Sequence, residues 1–222
     1  MDQNAYQIED ILCFWRQHPV GLQIPQQIQK IFAELDMNPE HYKNLWKQRC
    51  FLGEGFAESF HPQKERAWSM GERGCQDIEN NADTDLFVLK NLQDERIFSD
   101  IAGFFFDKIG GFVTVNLYWN HPNASVFPPH YDCHDVFVFQ LFGSKNWFLS
   151  PATEQKPTEM IHSKTPKYFL DSKQSSLEHA IYIPWGWWHH AKPTQHSIHL
   201  SIGIHEHPFF PISSSLECKR NI

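Results

Sequence analysis

The sequence predicts a mainly β protein, a β-sandwich or jelly roll with helices packed on its outside. Short β-rich apolar segments recur from residue 86 to the end of the chain, which is typical of such folds. One of them, residues 197–205, alternates strictly between apolar and small or polar residues. The first part of the chain has helical periodicity instead, and 222 residues suffice for one domain of this kind.

Helical spacing of apolar residues predicts three helices. The first covers residues 26–35 with Pro25 at its first helical position, and the second starts at Asn38-Pro39. The third covers residues 97–109 and ends at a pair of glycines. Residues 53–84 are rich in glycine and charge, so we expect them to be mostly loop.

Six segments are predicted as strands, namely 86–89, 112–119, 135–142, 145–149, 180–185 and 197–205. The last of them separates its residues into two faces. Its apolar face consists of Ile198, Leu200, Ile202 and Ile204, and its small or polar face consists of Ser197, His199, Ser201, Gly203 and His205. We therefore expect one face in the core and the other toward a polar cavity.

Charge, hydropathy and cysteine usage disfavour several classes of protein. The 19 Lys and Arg against 26 Asp and Glu give a net charge of −7, and no basic block occurs, which disfavours nucleic-acid and anionic-membrane binding. No apolar run reaches 18 residues, and the acidic start lacks the pattern of a secretory signal. The five scattered cysteines form no CxxC pair, as in reduced cytosolic proteins. We expect a cytoplasmic protein.

The distribution of histidines indicates that the functional site lies in the second half of the chain. Eleven of the 14 histidines lie from His121 onward. His130 and Asp132 are two positions apart, so in an extended chain both side chains project to the same side. His134 would continue the row if the strand does not bend. Further on, the segment IPWGWWHH delivers His189 or His190 at a strand edge.

Two histidines and one carboxylate are the ligand set of the facial triad, which leaves neighbouring metal positions open and is used by non-haem Fe(II) oxygenases. A 2-oxo acid cosubstrate also needs a cation for its distal carboxylate. Lys145 is a candidate, since it lies 13 residues after Asp132, beyond a Gly-Ser turn, at the start of the next strand. His199 on the polar face of the last strand is expected to line the same cavity.

These segments resemble the JmjC and cupin-like Fe(II)/2-oxoglutarate oxygenases. They are similar above all to protein hydroxylases such as the asparaginyl hydroxylase that inhibits hypoxia-inducible factor, and to bacterial ribosomal-protein hydroxylases. The resemblance covers about residues 86–206 and is carried by PPHYDCHDVFVFQLFGSKNWFLSP and AIYIPWGWWHHAKPTQHSIHLSIGI. It implies a double-stranded β-helix, with residues 86–222 as the catalytic jelly roll and residues 1–85 as a helical and loop segment packed on it.

The resemblance also implies site residues and a reaction. Fe(II) would be held by His130, Asp132 and His189, and 2-oxoglutarate would be anchored on Lys145 and touched by His199, where the family often has asparagine. With O2, the expected reaction is hydroxylation of a side chain in a protein, peptide or amino-acid-like substrate, releasing succinate and CO2. Demethylation belongs to the same superfamily, and the resemblance allows a homodimer.

Two other functions fit the same residues. One is a catalytically silent, cupin-like module that holds a metal ion for structure. The other is a metal-dependent cupin with different chemistry, such as an isomerase or a dioxygenase that does not use 2-oxoglutarate. In that protein, Lys145→Ala would leave the activity intact.

Overall fold

The structure is a computed structural model. It describes residues 6–50, 57–60, 68–70, 86–122, 127, 129–151, 161–162 and 180–212. The helices in this part are α1 (Gln26–Glu34), α2 (Pro39–Cys50) and α3 (Arg96–Ile109), with two 3-10 helices at Ile8–Phe14 and Leu92–Asp94. None of the described helices is both long and apolar enough to cross a membrane.

Twelve strands are present in the described residues. They are β1 (Val20–Leu22), β2 (Ala57–Phe60), β3 (Trp68–Met70), β4 (Leu86–Leu89), β5 (Phe112–Asn120), β6 (His130–Tyr131), β7 (Asp135–Phe142), β8 (Lys145–Ser150), β9 (Ile161–His162), β10 (Ala180–Ile183), β11 (Trp188–Pro193) and β12 (Ser197–His205). One sheet has the order β1-β10-β7-β12-β5-β4-β2-β3, and the other has the order β8-β11-β6-β9. All neighbouring strands are antiparallel. The predicted jelly roll is confirmed.

The central strands β10, β7 and β12 of the larger sheet are buried on both faces, and strand β7 shows why. Phe137 and Phe139 point to the helical layer, where the ring of Phe105 from α3 lies with its centroid 5.0 Å and 5.8 Å from theirs. Val136 and Val138 point the other way and line a cavity. Strand β12 divides in the same manner, since its isoleucines and Leu200 join the helix-side core while His199 reaches the cavity. The predicted faces of this strand are confirmed.

Several predicted boundaries shift by a few residues. Helix α1 ends at Glu34, and Pro25 is its N-cap rather than its first helical residue. Strand β10 ends at Ile183, because Pro184 and Gly186 form a turn in which Gly186 has a φ of 80°.

The segment before residue 86 contributes strands to the main sheet. Residues 53–84 were predicted to be mostly loop, but this is wrong for β2 and β3, which extend the sheet through β4. The rest of that segment lies outside the described residues. Strand β1 pairs with β10, a pairing that no pattern in the sequence indicated. The division of the chain between residues 85 and 86 stays a prediction.

A glycine turn fixes the start of β8. Gly143 has a φ of 70°, which side-chain-bearing residues rarely adopt. A Cβ atom there would lie 1.8 Å from the carbonyl oxygen of His196. The close approach of these two backbones therefore requires glycine, and it sets where Lys145 enters the cavity.

Candidate active site

A cavity of about 230 Å³ lies between the two sheets. Valine, isoleucine and aromatic side chains form much of its wall, and polar groups enter it from both sheets. The polar groups that line the cavity include Asn120, His130, Asp132, Lys145, His189 and His199. A mostly apolar cavity with a few convergent polar groups is the usual form of a small-molecule site.

Three potential metal ligands converge at one place in this cavity. His130 on β6 and His189 on β11 are direct partners in the antiparallel pair of these strands, and Asp132 follows β6 in the chain. The His189 Nε2 atom lies 3.4 Å from Asp132 Oδ2, and the His130 Nε2 atom lies 3.8 Å from Asp132 Oδ1. All three ligand atoms lie within 4.8 Å of one another. Strand register thus brings together residues almost 60 positions apart.

Backbone hydrogen bonds orient the ligands. His189 Nδ1 donates to the carbonyl oxygen of Trp187 at 3.0 Å, which leaves the Nε2 lone pair facing the cluster. The Gly186 N–H donates to the carbonyl oxygen of Asp132 at 3.1 Å. The turn before β11 is therefore tied directly to the loop that carries the carboxylate.

The donor set fits a divalent transition-metal ion. Bonds of about 2.1 Å at right angles place neighbouring ligand atoms about 3 Å apart. The observed 3.4 Å and 3.8 Å are wider, as is the 4.8 Å within which all three atoms lie, so side-chain rotations would be needed to bring them to bonding distance. Two imidazoles and one carboxylate on one side of an ion are the facial triad of non-haem iron enzymes.

Asp132 has the charge that a ligand needs. Burial opposes its ionisation, but the nearby imidazoles of His134, His189, His130 and His205 lower the pKa of its carboxyl to about 2. Asp132 is therefore a carboxylate across the whole range in which imidazoles are neutral and able to bind a metal.

His190 does not join the cluster. Its Nδ1 donates to the carbonyl oxygen of Phe127 at 2.8 Å, and its ring lies beside Phe148. Adjacent residues on a strand point to opposite faces, so only one of the two consecutive histidines can reach the cavity. The structure places His189 there.

Lys145 supplies a buried cation to the cavity. Its side chain enters from the start of β8, and the residue is 2% exposed. The ammonium group donates to His199 Nδ1 at 2.8 Å and to Asn120 Oδ1. Burial holds the pKa of Lys145 well below its usual range. An anionic ligand would stabilise the charged form, so this end of the cavity favours a carboxylate.

His199 is held as a neutral ring beside Lys145. Burial, followed by the charge of Lys145, keeps the pKa of His199 well below its usual range. Its ring stacks on Tyr118 with centroids 4.6 Å apart, and Trp147 meets it edge-on at 5.7 Å. The predicted position of His199 in the cavity is therefore observed, together with a contact to Lys145 that the sequence did not indicate.

Two donors beside Lys145 have no hydrogen-bond partner among the described residues. They are the buried Nδ2 of Asn120 and the buried Nε1 of Trp147. Both residues line the cavity. An unpartnered buried donor costs free energy unless a ligand or water satisfies it. Their presence fits a carboxylate-bearing ligand at this end of the cavity.

His134 and His205 form a second pair beside the cluster. Their rings stack with centroids 4.2 Å apart, and His205 Nε2 lies 3.0 Å from Thr114 Oγ1. The chain bends after Asp132, so His134 does not continue the row of ligands. His205, at the end of the polar face of β12, is half-buried, and burial together with His134 lowers its pKa to about 4.

Sequence reasoning missed Asn120 and Tyr118 as parts of this site. Tyr118 pairs with His199 and Asn120 with Ser197 across the β5–β12 ladder. The alternation of each strand was visible in the sequence, but the register between them was not. Asn120 is the last residue of β5, and nothing in the composition of that strand indicated a site residue.

A protein-family model for the JmjC domain matches residues 89–210, more than half of the chain. The chain belongs to the JmjC family. The match includes strands of both sheets and all three residues of the ligand cluster. The JmjC assignment made from the two sequence segments is therefore confirmed.

Curated relatives include proteins of two insects. The chain is 29% identical over 148 residues to the bifunctional lysine-specific demethylase and histidyl-hydroxylase NO66 of Drosophila melanogaster, covering 63% of this chain and 21% of that protein. It is 28% identical over 185 residues to NO66 of Culex quinquefasciatus, covering 76% of this chain and 26% of that protein. The chain thus spans about a quarter or less of the length of these relatives.

Solved structures with the same fold include YcfD of Escherichia coli. One YcfD structure superposes with a TM-score of 0.63 at 15% identity, covering 92% of this chain and 54% of that chain. A YcfD ribosomal oxygenase in complex with cobalt and 2-oxoglutarate superposes with a TM-score of 0.59 at 17% identity, covering 91% and 52%. At this identity the likeness establishes a shared JmjC fold.

Proposed function

We propose that this JmjC protein is an Fe(II)- and 2-oxoglutarate-dependent oxygenase that hydroxylates a side chain of a protein or peptide. The observation that carries the proposal is one cavity with a His-Asp-His cluster on its wall and a buried lysine among unpartnered donors. This combination supplies a metal site and a separate anion site, which together suit a 2-oxo acid. A structural metal site needs no such anion site.

His130, Asp132 and His189 would hold Fe(II). Asp132 brings the negative charge, and the Trp187 carbonyl fixes the tautomer of His189. A facial arrangement leaves the opposite side of the ion accessible from the cavity. The apolar wall around the cluster limits the access of bulk water, which strengthens electrostatic interactions inside.

Lys145 would bind the distal carboxylate of 2-oxoglutarate. The ammonium already donates to neutral acceptors on His199 and Asn120, and a carboxylate would be a stronger acceptor. The Nδ2 of Asn120 could donate to the same carboxylate without a further rearrangement of the buried groups. The stacked ring of Tyr118 holds His199 in place behind the lysine.

Fe(II) and 2-oxoglutarate, when bound together, allow O2 to convert the keto acid to succinate and CO2 while the second oxygen atom enters a C–H bond of the substrate. The chain's contribution is to place the keto acid and the substrate on one face of the ligand cluster and to restrict water there. The JmjC relatives named above as a histidyl-hydroxylase and a lysine-specific demethylase support a protein substrate. The scattered cysteines, which form no CxxC pair, support action in a reducing compartment such as the cytoplasm.

Turnover of the keto acid tests the proposal. With Fe(II), 2-oxoglutarate and air, the purified protein should release succinate even without its substrate, as slow uncoupled turnover, and a peptide substrate should accelerate the release. Asp132→Ala gives the background, and Asp100→Ala is the matched control, because Asp100 is exposed on α3. Succinate release equal to that of Asp132→Ala, from a folded protein across a broad peptide library, would refute the proposal.

The same assay separates the oxygenase from a catalytically silent metal-binding module. The silent module would bind the metal ion with the same three residues, and it would be stabilised by it. It would not convert 2-oxoglutarate to succinate under any condition. The buried Lys145, with its charge directed into the cavity, favours the oxygenase, because a structural metal site has no use for it.

A further inference from the structure

We propose that Arg16 is a positioning residue of the metal site: by pairing with buried Asp135 it fixes the turn at Trp185 and Gly186, which orients both ligand-bearing segments. The proposal rests on the proposed function only in that the His-Asp-His cluster binds a metal ion. It adds a role for the N-terminal part of the chain, whose described residues contribute no ligand to the cluster.

Asp135 is the centre of this arrangement. It is fully buried at the start of β7, three residues after Asp132. Its Oδ1 accepts from the Tyr182 hydroxyl at 2.7 Å and from the Trp185 N–H at 3.1 Å, and its Oδ2 accepts from Arg16 Nε at 2.8 Å. One carboxylate therefore joins three segments that are distant in the sequence.

The same turn continues to the metal ligands. The residue after Trp185, Gly186, donates its N–H to the carbonyl oxygen of Asp132. The next residue, Trp187, uses its carbonyl oxygen to accept from His189 Nδ1. Two consecutive residues, Gly186 and Trp187, thus hold the Asp132 loop and the ring of His189, and both directly follow Trp185, the residue that Asp135 holds.

Arg16 is itself held firmly. Its backbone is in the left-handed region with a φ of 60°, and its N–H donates to the Tyr182 hydroxyl at 3.1 Å. The guanidinium lies over the ring of Trp185 at 4.3 Å and also pairs with Glu206. Arg16 therefore touches the turn twice, through Asp135 and through the Trp185 ring, and a planar guanidinium is suited to both contacts.

The charge of Arg16 is needed for Asp135 to act in this way. Burial raises the pKa of the Asp135 carboxyl, and the guanidinium opposes that rise. Without the cation, a buried carboxylate is costly, so Asp135 would take up a proton or move toward solvent. Protonation would weaken the hydrogen bond from the Trp185 N–H and movement would break it, so the turn would be anchored less firmly.

The test compares Arg16, which is half-buried, with the buried Arg49. Arg16→Met removes the cation at Asp135, whereas Arg49→Met removes a cation that pairs with Asp94 and Glu95 on the helical side of the fold. Co(II) is titrated without oxygen into each variant of the 222-residue chain, and the melting temperature is measured separately. We expect both variants to have a lower melting temperature than the wild-type protein. The dissociation constant for Co(II) should rise about tenfold for Arg16→Met, as for other groups that orient ligands from outside the coordination sphere, and less than twofold for Arg49→Met.

Two further variants sharpen the result. Arg16→Lys keeps a cation near Asp135 and should recover most of the Co(II) affinity. Asp135→Asn changes no side-chain volume and should weaken Co(II) binding as Arg16→Met does, so it replaces Arg16→Met if that variant does not fold. Wild-type Co(II) affinity in the Arg16→Met and Asp135→Asn variants would overturn the positioning role alone. A wild-type protein that binds no Co(II) would overturn the metal site and this role together.

Discussion

Lys145→Met is expected to weaken 2-oxoglutarate binding about 10- to 150-fold while leaving metal binding unchanged. The range follows from the 1.5 to 3 kcal/mol that a hydrogen bond to a charged group typically contributes. Lys145 is the cation buried against the unpartnered donors in the cavity, and methionine keeps a similar length without the charge. Calorimetric titration of 2-oxoglutarate into the metal-loaded protein without oxygen measures the change.

The effect of pH on the same titration gives a second readout for Lys145. Because burial lowers the pKa of Lys145, its ammonium loses its proton at a lower pH than an exposed lysine does. The affinity of the wild-type protein for 2-oxoglutarate should therefore fall as the pH rises through this lowered pKa, below the usual value of 10.5. Lys145→Met should not show this fall, and Lys192→Met, which changes an exposed lysine, should retain it. Unchanged affinity in Lys145→Met would assign the anion site to other residues.

His189→Ala is expected to abolish metal binding, with a loss of affinity above about 100-fold, since even groups outside the coordination sphere contribute 10- to 100-fold. His190→Ala is the matched control. It changes the neighbouring histidine, which bonds to the Phe127 carbonyl and points away from the cluster. Metal titrations of both variants, with circular dichroism to verify folding, measure the difference.

The difference in metal affinity between His189→Ala and His190→Ala decides which of the two histidines is the metal ligand. Equal losses of affinity would indicate a general disturbance of β11 rather than the removal of a ligand. A larger loss for His190→Ala would contradict the geometry of the strand. His190→Ala should lower the melting temperature slightly, since it removes a partly buried hydrogen bond, but its metal affinity should remain that of the wild-type protein.

The sequence predicted most strands and the two faces of β12, because alternation is a local property. Ile198 and Ile202 lie in the helix-side core, and His199 lies in the cavity, as the pattern required. The pairing of His130 with His189 depends on which strands are neighbours and on their register. The sequence alone offered only a choice between His189 and His190, and the family resemblance favoured the former.

Other parts of the site and of the fold could not be predicted, because no local sequence pattern indicates them. Arg16 lies 119 positions before Asp135, and no motif relates an arginine near the start of a chain to a carboxylate on a distant strand. Asn120 reaches Lys145 because β5 and β12 pair in one register, which is set by the packing of the whole sheet. Strands β1, β2 and β3 are three or four residues long, too short for periodicity to indicate them.

In the proposed function, His130, Asp132 and His189 hold one Fe(II) ion to which 2-oxoglutarate also binds. Visible spectroscopy of the protein with Fe(II) and 2-oxoglutarate, without oxygen, tests it most directly. The wild-type protein should develop the weak charge-transfer band of an iron-bound 2-oxo acid, and Asp132→Ala, folded as judged by circular dichroism, should lack it. A well-folded wild-type protein with no band, or an equal band in Asp132→Ala, would contradict the claim.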